Sequence, residues 1–340
     1  MLQISGRYCL VFAGSLRILL LYMANSPNNA ALDAVAERLR ECLGDRFELN
    51  KPLAPLTSFK TGGKARFFIS CTSPEELSRA VTTAAEVGID SFLLGGGSNL
   101  LISDEGYPGL VIKVAIRGIK VLPGNVIEVG SGEDLMSLVQ FAADHSLTGL
   151  EFASGIWGTV GGAIYGNAGA YGGQIGSLLQ DLDLVDRKGK NHRVDAEYCR
   201  FGYRDSYLKK TGEIVVVARF KLKPGKREVI QAEVDRIWKI REVKFPPDGL
   251  CAGCFFKNIP DESQPYGKLP AGKLLEEVGA KGLKVGGAIV YEKHANVILN
   301  TGNASSKDIS DLADILRKKV LDKFGITLEE EIIRLGSFQP

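Results

Sequence analysis

The stretch Leu94-Gly95-Gly96-Gly97-Ser98-Asn99-Leu100 carries an apolar strand end into three glycines, a hydroxyl and an amide. Glycine permits positive φ and lets bare backbone approach a ligand. Successive N–H groups can therefore converge on a pyrophosphate, with Ser98 and Asn99 adding side-chain hydrogen bonds. A flexible turn reads the same way, because glycine clusters also punctuate ordinary folds. A second stretch adds to the signal: Gly155-Ile156-Trp157-Gly158-Thr159-Val160-Gly161-Gly162-Ala163, continued by Asn167-Ala168-Gly169-Ala170-Tyr171-Gly172-Gly173. So many glycines cost conformational entropy, which a chain tolerates where a ligand must lie against the main chain. The two loops are expected to hold one dinucleotide between them. Neither matches G-x-G-x-x-G after a strand with an acidic residue about 20 positions on, so a Rossmann site is unsupported.

Upstream of these loops, apolar Val35, Ala36, Leu39 and Leu43 recur at helical spacing. Arg66 to Cys71 reads as a strand. Ser73-Pro74-Glu75-Glu76 then supplies an N-cap, a first-turn proline and a capping-box glutamate. With the strand Phe92 to Leu94, residues 52 to 94 form a small β-α-β unit. Strands are expected at Leu110 to Val114, Val126 to Val129, Leu182 to Asp186 and Glu213 to Leu222, with a helix from Glu133 to Ser146. Beyond these come helices at Glu228 to Arg241, Ala271 to Val278 and Ser306 to Phe324. Strands at Ala288 to Tyr291, Val297 to Asn300 and Leu328 to Ile333 complete the chain. Strand runs broken by few helices and many glycines indicate an α+β protein rather than a doubly wound sheet.

The 340 residues, 45% hydrophobic and 24% charged, suffice for two or three domains. A formal charge of +2 gives no electrostatic case for a nucleic-acid or acidic-membrane partner. Six cysteines in this length do not form a secreted disulfide framework, and a reducing, cytoplasmic compartment fits better. Tyr8 to Met23 is an apolar run broken by Arg17, too short to span a bilayer. Residues 1–23 are read as a dispensable or mis-assigned extension, with Met23 as an alternative start.

Three motifs mislead. Gly267-Lys268-Leu269-Pro270-Ala271-Gly272-Lys273-Leu274 matches a P-loop until Leu274, which has no hydroxyl for magnesium, and no buried strand precedes it. Cys251-Ala252-Gly253-Cys254 has neither a second C-x-x-C nor grouped histidines, so no metal site is expected. A dithiol motif would require a thioredoxin-like β-α-β context that the following Phe255-Phe256-Lys257-Asn258 does not provide.

From roughly Leu53 to Gly336 the sequence resembles the UDP-N-acetylenolpyruvoylglucosamine reductase family. The motifs run in the family's order: Gly95 to Asn99, Gly155 to Gly173, Tyr203-Arg204-Asp205-Ser206, Gly253-Cys254-Phe255-Phe256-Lys257-Asn258, Gly286-Gly287-Ala288, Lys293-His294-Ala295-Asn296 and Leu328-Glu329-Glu330-Glu331-Ile332. The resemblance implies a three-lobed α+β fold. A vanillyl-alcohol-oxidase-type FAD-binding region of two lobes, at 24–94 and 95–226, is followed by a C-terminal α+β substrate-binding domain at 227–340. Tyr203-Arg204 leads into the Glu213 strand without a long insertion, as in the shorter subclass that lacks a tyrosine-bearing loop.

The implied reaction has two halves. NADPH reduces bound FAD, and hydride then passes to the enolpyruvyl methylene carbon of UDP-N-acetylglucosamine-enolpyruvate, giving UDP-N-acetylmuramate for peptidoglycan precursors. The resemblance assigns FAD to Gly95, Gly96, Gly97, Ser98, Asn99, Leu100, Gly155, Gly158, Thr159, Gly161 and Gly162. Arg204 matches the family arginine, whose guanidinium fork suits a carboxylate; the competing reading is a surface ion pair with Asp205 or Asp181. Glu331 matches the essential glutamate, which either donates a proton or polarises an enolate-like intermediate. Strand alternation alone does not choose it over Glu329. Cys254 stands where many relatives have the serine that protonates the intermediate, and a thiol is still mostly protonated at neutral pH. Tyr203, Lys244, Asn258, Lys281 and His294 occupy or approximate positions that contact the UDP-sugar. The expected partners are thus small molecules, the UDP-sugar and NADPH, for a monomer or weak oligomer. Departures include Trp157 for the usual proline, Gly166 for a larger residue, and Ile259 between Asn258 and Pro260. The rival reading is a flavin oxidoreductase of the same fold acting on another substrate, which has no need for Cys254-Phe255-Phe256-Lys257-Asn258 or Glu331. A non-catalytic UDP-sugar sensor would have lost Arg204, Cys254 or Glu331.

Overall fold

A computed structural model of the protein describes residues 30–246, 249–264 and 267–338; the expected extension at 1–23 lies outside them. Helix α1 (Ala30–Leu43) buries Leu32, Ala36 and Leu39, the face that the spacing marked. Strands β1 (Glu48–Pro52) and β2 (Lys64–Cys71) follow, then α2 (Pro74–Glu86). Ser73 Oγ accepts from the Glu76 amide at 3.3 Å. The Glu76 carboxylate reaches one residue further back than a capping box requires, accepting from the Thr72 amide at 2.8 Å. Next are β3 (Ser91–Leu94), β4 (Leu100–Ile102) and β5 (Tyr107–Val114). The first sheet has the order β1-β2-β5-β3, with β2 and β3 parallel to β5. The carboxyl ends of the parallel strands thus lie on one side, where the Gly95 loop begins.

A second sheet begins with β6 (Ile119–Leu122) and β7 (Val126–Gly130). Helix α3 (Leu135–Asp144) follows, capped by Asp134 on the Ser137 amide at 3.1 Å. After the short α4 (Val160–Tyr165) come β8 (Leu179–Val185), β9 (Asn191–Asp195) and β10 (Ile214–Lys221). They form an antiparallel sheet ordered β9-β8-β10-β7-β6. One face packs on α3 through Ile127, Leu182, Ala218 and Phe220. On the opposite face Arg219, only 7% exposed, reaches Glu128, Asp181 and Asp183, each at 2.7 Å. Removing that cation leaves three half-buried carboxylates facing one another. Arg219→Met is expected to cost about 2 kcal/mol, below the usual loss for a buried pair because the acids keep some solvent. Chemical denaturation of the two proteins checks this, and a change under 0.5 kcal/mol, the range of an ordinary surface substitution, would contradict it.

The last part comprises α5 (Arg227–Lys244), α6 (Ala271–Glu277), β11 (Lys284–Val285), β12 (Ala288–Val290), β13 (Ile298–Asn300), α7 (Ser306–Phe324) and β14 (Ile333–Leu335). Strands β11-β12-β13 make an antiparallel sheet against α7, which starts with a full capping box of Ser305 and Asp308. Here one expectation fails. Leu328 to Ile332 is not a strand: it makes one isolated bridge, Glu330 with Phe256, and ladder pairing starts only at Ile333. Its backbone instead meets the irregular segment Phe255 to Lys257, the Lys257 amide donating to the Glu329 carbonyl and the Glu331 amide to the Phe255 carbonyl, each at 2.8 Å, and it joins β4 only from Ile333 on. The lobes are also sewn together, because Phe59 and Leu101 lie in the core of the last part while Leu335 lies in that of the first.

Candidate active site

The first glycine loop follows β3 and is pinned by two anchors. The Gly97 carbonyl accepts from the Ser58 amide at 3.0 Å, and Ser98 Oγ donates to the Trp157 carbonyl at 2.9 Å. Gly97 has φ +67°, and a Cβ there would lie 2.0 Å from the Leu56 carbonyl, so no other residue fits. The second loop touches the first directly rather than across a gap. A Cβ on Gly96 would lie 2.7 Å from Gly158 Cα, and one on Gly95 would lie 2.7 Å from Thr159 Oγ1. Thr159 caps α4 on the Gly162 amide, and the Gly161 amide donates to the Ser131 carbonyl at 2.8 Å. Gly161 and Gly162 therefore spend their N–H groups inside the chain and offer a ligand only bare surface.

These loops fit a flavin dinucleotide on two counts. Among the described residues, no acceptor meets the amides of Gly96, Gly97 or Ser98, as anion binding by a loop of backbone N–H groups requires. Ser131 Oγ is buried beside Gly161 without a hydrogen-bond partner among the described residues, an expense that a ligand contact would offset. Trp157, 36% exposed, serves the loop through its carbonyl.

Arg204 lies at the turn before β10 with φ +54°, where Gly202 and Asp205 bond each other's backbone. Its guanidinium donates to the Gly169 carbonyl at 3.0 Å and comes within 2.5 Å of Glu331 Oε1 through Nε. That contact is one of charge, not an aligned hydrogen bond, since among the described residues the buried Nε–H has no acceptor in line. Neither Asp205 nor Asp181 pairs with Arg204; Arg219 and Arg193 take up Asp181. The three adjacent glutamates separate cleanly. Glu329 is exposed beside Lys257, Glu330 bonds Arg317 and Arg334, and only Glu331 faces Arg204. Burial pushes the Glu331 carboxyl above the usual carboxylate range, and Arg204 opposes this only in part.

Cys254 belongs to the same cluster. Its residue surface is partly open, yet dense protein around the sulfur and the Glu331 charge push the thiol up to about 12, against the pull of Arg204 and Arg241. The segment is held by Asn296, which sequence reasoning placed in a motif without a role. The Asn296 carboxamide accepts from the Phe256 amide at 2.9 Å and donates to the Phe256 carbonyl at 2.8 Å, and its backbone carbonyl accepts from Phe255 at 2.8 Å. The Glu331 amide in turn donates to the Phe255 carbonyl at 2.8 Å. Arg241 was also missed. It donates to the Gly155 carbonyl at 2.8 Å, and burial lowers its pKa.

Of the expected sugar-nucleotide contacts, Tyr203 and Asn258 join this cluster. The Asn258 amide donates to the Tyr203 hydroxyl at 3.4 Å, and the Lys268 ammonium stands 3.4 Å from the Tyr203 ring centre. Lys268, in the false P-loop, is a further cation at the site. Lys244, His294 and Lys281 form a second group, with His294 against Gly272 at the start of α6, next to Ala271 whose amide donates to Asn258. Burial, then the nearby Lys244 charge, lowers the His294 pKa. Its Nδ1 accepts from the Asn296 amide at 3.2 Å, so the ring proton falls to Nε2, which can donate.

Comparison with known proteins follows the same outline. Residues 65–195 match the FAD binding domain family, and 246–335 match the family described as UDP-N-acetylenolpyruvoylglucosamine reductase, C-terminal domain. The UDP-N-acetylenolpyruvoylglucosamine reductase of Streptococcus pneumoniae strain Hungary19A-6 is 37% identical over 304 residues, covering 89% of this chain and 99% of the relative. The chain belongs to this family. The strain D39 reductase shows the same identity and share of this chain, with 94% of that protein covered. Among solved structures, the Thermus caldophilus reductase superposes with a TM-score of 0.71 at 35% identity, covering 85% of this chain and 98% of that one. The family's α+β fold, with its FAD-binding region, is therefore the fold of this protein.

Proposed function

We propose that this protein reduces UDP-N-acetylglucosamine-enolpyruvate to UDP-N-acetylmuramate with NADPH as reductant. The observation that carries the reading is the convergence of Arg204, Glu331 and Cys254 beside the joined glycine loops. Bound FAD would take hydride from NADPH and deliver it to the enolpyruvyl methylene carbon. The residues to hold it are Gly95 to Ser98, the backbone of Asn99, Leu100, Gly155, Gly158, Thr159, Gly161 and Gly162, with Ser131 added by its unmet hydroxyl.

The remaining work falls to side chains. Arg204 orients the substrate carboxylate and offsets the charge pushed onto it. Glu331, its carboxyl raised by burial, holds the proton longer than an ordinary glutamate and polarises the same group. Cys254 keeps its proton across the neutral range and gives it to the carbon beside the carboxylate, while the resulting thiolate faces Arg204 and Arg241. Tyr203, Asn258 and Lys268, together with Lys244, His294 and Lys281, supply the cations and donors that a uridine diphosphate needs.

We place the enzyme in the cytoplasm as a monomer or weak oligomer. Free thiols at Cys42, Cys71, Cys199, Cys251 and Cys254 support a reducing compartment. Among the described residues no helix is long and apolar enough to cross a membrane.

The test is spectroscopic. The purified protein is expected to be yellow, to bleach anaerobically with NADPH, and to recover its colour when the enolpyruvyl substrate is added. A colourless protein that cannot be reconstituted with FAD, or a bleached one that ignores the substrate, would sink the reading.

A further inference from the structure

One side chain joins the first glycine loop to the reaction's carboxyl group. Asn99 ends the loop, and its Nδ2 donates to the Glu331 carbonyl at 3.1 Å while its own carbonyl accepts from the Ile333 amide at 3.0 Å. Immediately beyond, Leu100 pairs with Ile333 as β4 meets β14. Residue 331 lies outside that ladder, so the Asn99 carboxamide supplies the support that a strand partner would give. The opposite side of the same residue is held by the Phe255 carbonyl, next to Cys254.

We propose that Asn99 is a positioning residue for Glu331, and that its carboxamide serves the carboxyl group rather than the cofactor. This rests on the reading of Glu331 as essential to the reaction. The loop has its own anchors at Ser58 and Trp157, so its shape does not depend on the Asn99 side chain. The Glu331 backbone, by contrast, loses one of its two grips when that side chain is cut back. A displacement of about 1 Å at a reacting group costs on the order of 10²-fold in rate.

The test compares Asn99→Ala, Asn99→Asp and Glu331→Gln holoenzymes with the unmodified protein. Three quantities are read: flavin retained per chain, the rate of bleaching by NADPH, and the rate of recovery with UDP-N-acetylglucosamine-enolpyruvate across pH. For both Asn99 variants, flavin content and bleaching are expected to stay within about threefold of the unmodified protein, and recovery to slow by about 10- to 100-fold. Aspartate should do no better than alanine, since a carboxylate cannot donate to the Glu331 carbonyl. The pH limb that Glu331→Gln abolishes should shift in both, which a purely structural role would not produce. Loss of flavin from the Asn99 variants would make the carboxamide a cofactor ligand and overturn the proposal. Normal recovery with an unmoved limb would overturn it too. If Glu331→Gln itself recovers colour at the normal rate, the reading of Glu331 fails and the proposal with it.

Discussion

Cys254→Ala is expected to bleach normally with NADPH and to recover its colour with the enolpyruvyl substrate about 10²- to 10⁴-fold more slowly, the usual worth of a positioned general acid. The two half-reactions separate because the thiol is needed only after hydride has arrived, when a proton must reach the neighbouring carbon. Cys254→Ser should stay active, since an alcohol in the same place still carries a proton. The thiol sits at about 12, so it is protonated on both sides of neutrality, and recovery should show no loss of its proton between pH 6 and 9. Stopped-flow recovery of flavin absorbance measures all of this. Rapid recovery by the alanine variant would take Cys254 out of the mechanism.

Arg204→Met should lower kcat/KM for the enolpyruvyl substrate by about 10²-fold or more, because a fork aimed at a carboxylate is replaced by a thioether. Its second consequence runs through Glu331. Arg204 holds the Glu331 carboxyl down against the upward push of burial. Without the guanidinium that value rises further, so the pH at which recovery changes as Glu331 ionises must move to higher pH. Arg204→Lys restores charge without the fork and should fall between the two, with the limb moved less. A variant whose limb moves to lower pH would contradict the assignment of the two groups as neighbours.

Much of this site could be read in the chain itself, and the parts that could not share a physical reason. The glycine loops, the Ser73 cap and the helix faces are local signals, written in residues within one or two turns of each other. The order of the glutamates was less legible. Alternation could not separate Glu331 from Glu329, and the segment proved not to be a strand; separation came from Arg204, which takes Glu331, from Arg317 and Arg334, which share Glu330, and from Lys257 beside Glu329. Arg241 and Asn296 were missed because their roles are made by partners 86 and 40 residues away. The outer strands β6 and β9 escaped because Ile119 to Leu122 is a four-residue run with no buried position and no alternation, while Asn191 to Asp195 alternates between half-covered and open with Val194 as its one apolar residue.

The pairing of β14 with β4 bears on how the polypeptide matures in the cell. Ile333 to Leu335 must return to Leu100 to Ile102, so the stretch adjoining the first glycine loop waits for almost the whole chain to be made. At about 5 to 20 residues per second, a ribosome needs on the order of 10 to 50 s to get from one strand to the other. During that interval β4 has an unzipped edge of the kind that invites wrong partners. Nascent forms stopped short of Ile333 should therefore be the ones that chaperones hold and that stray strands capture.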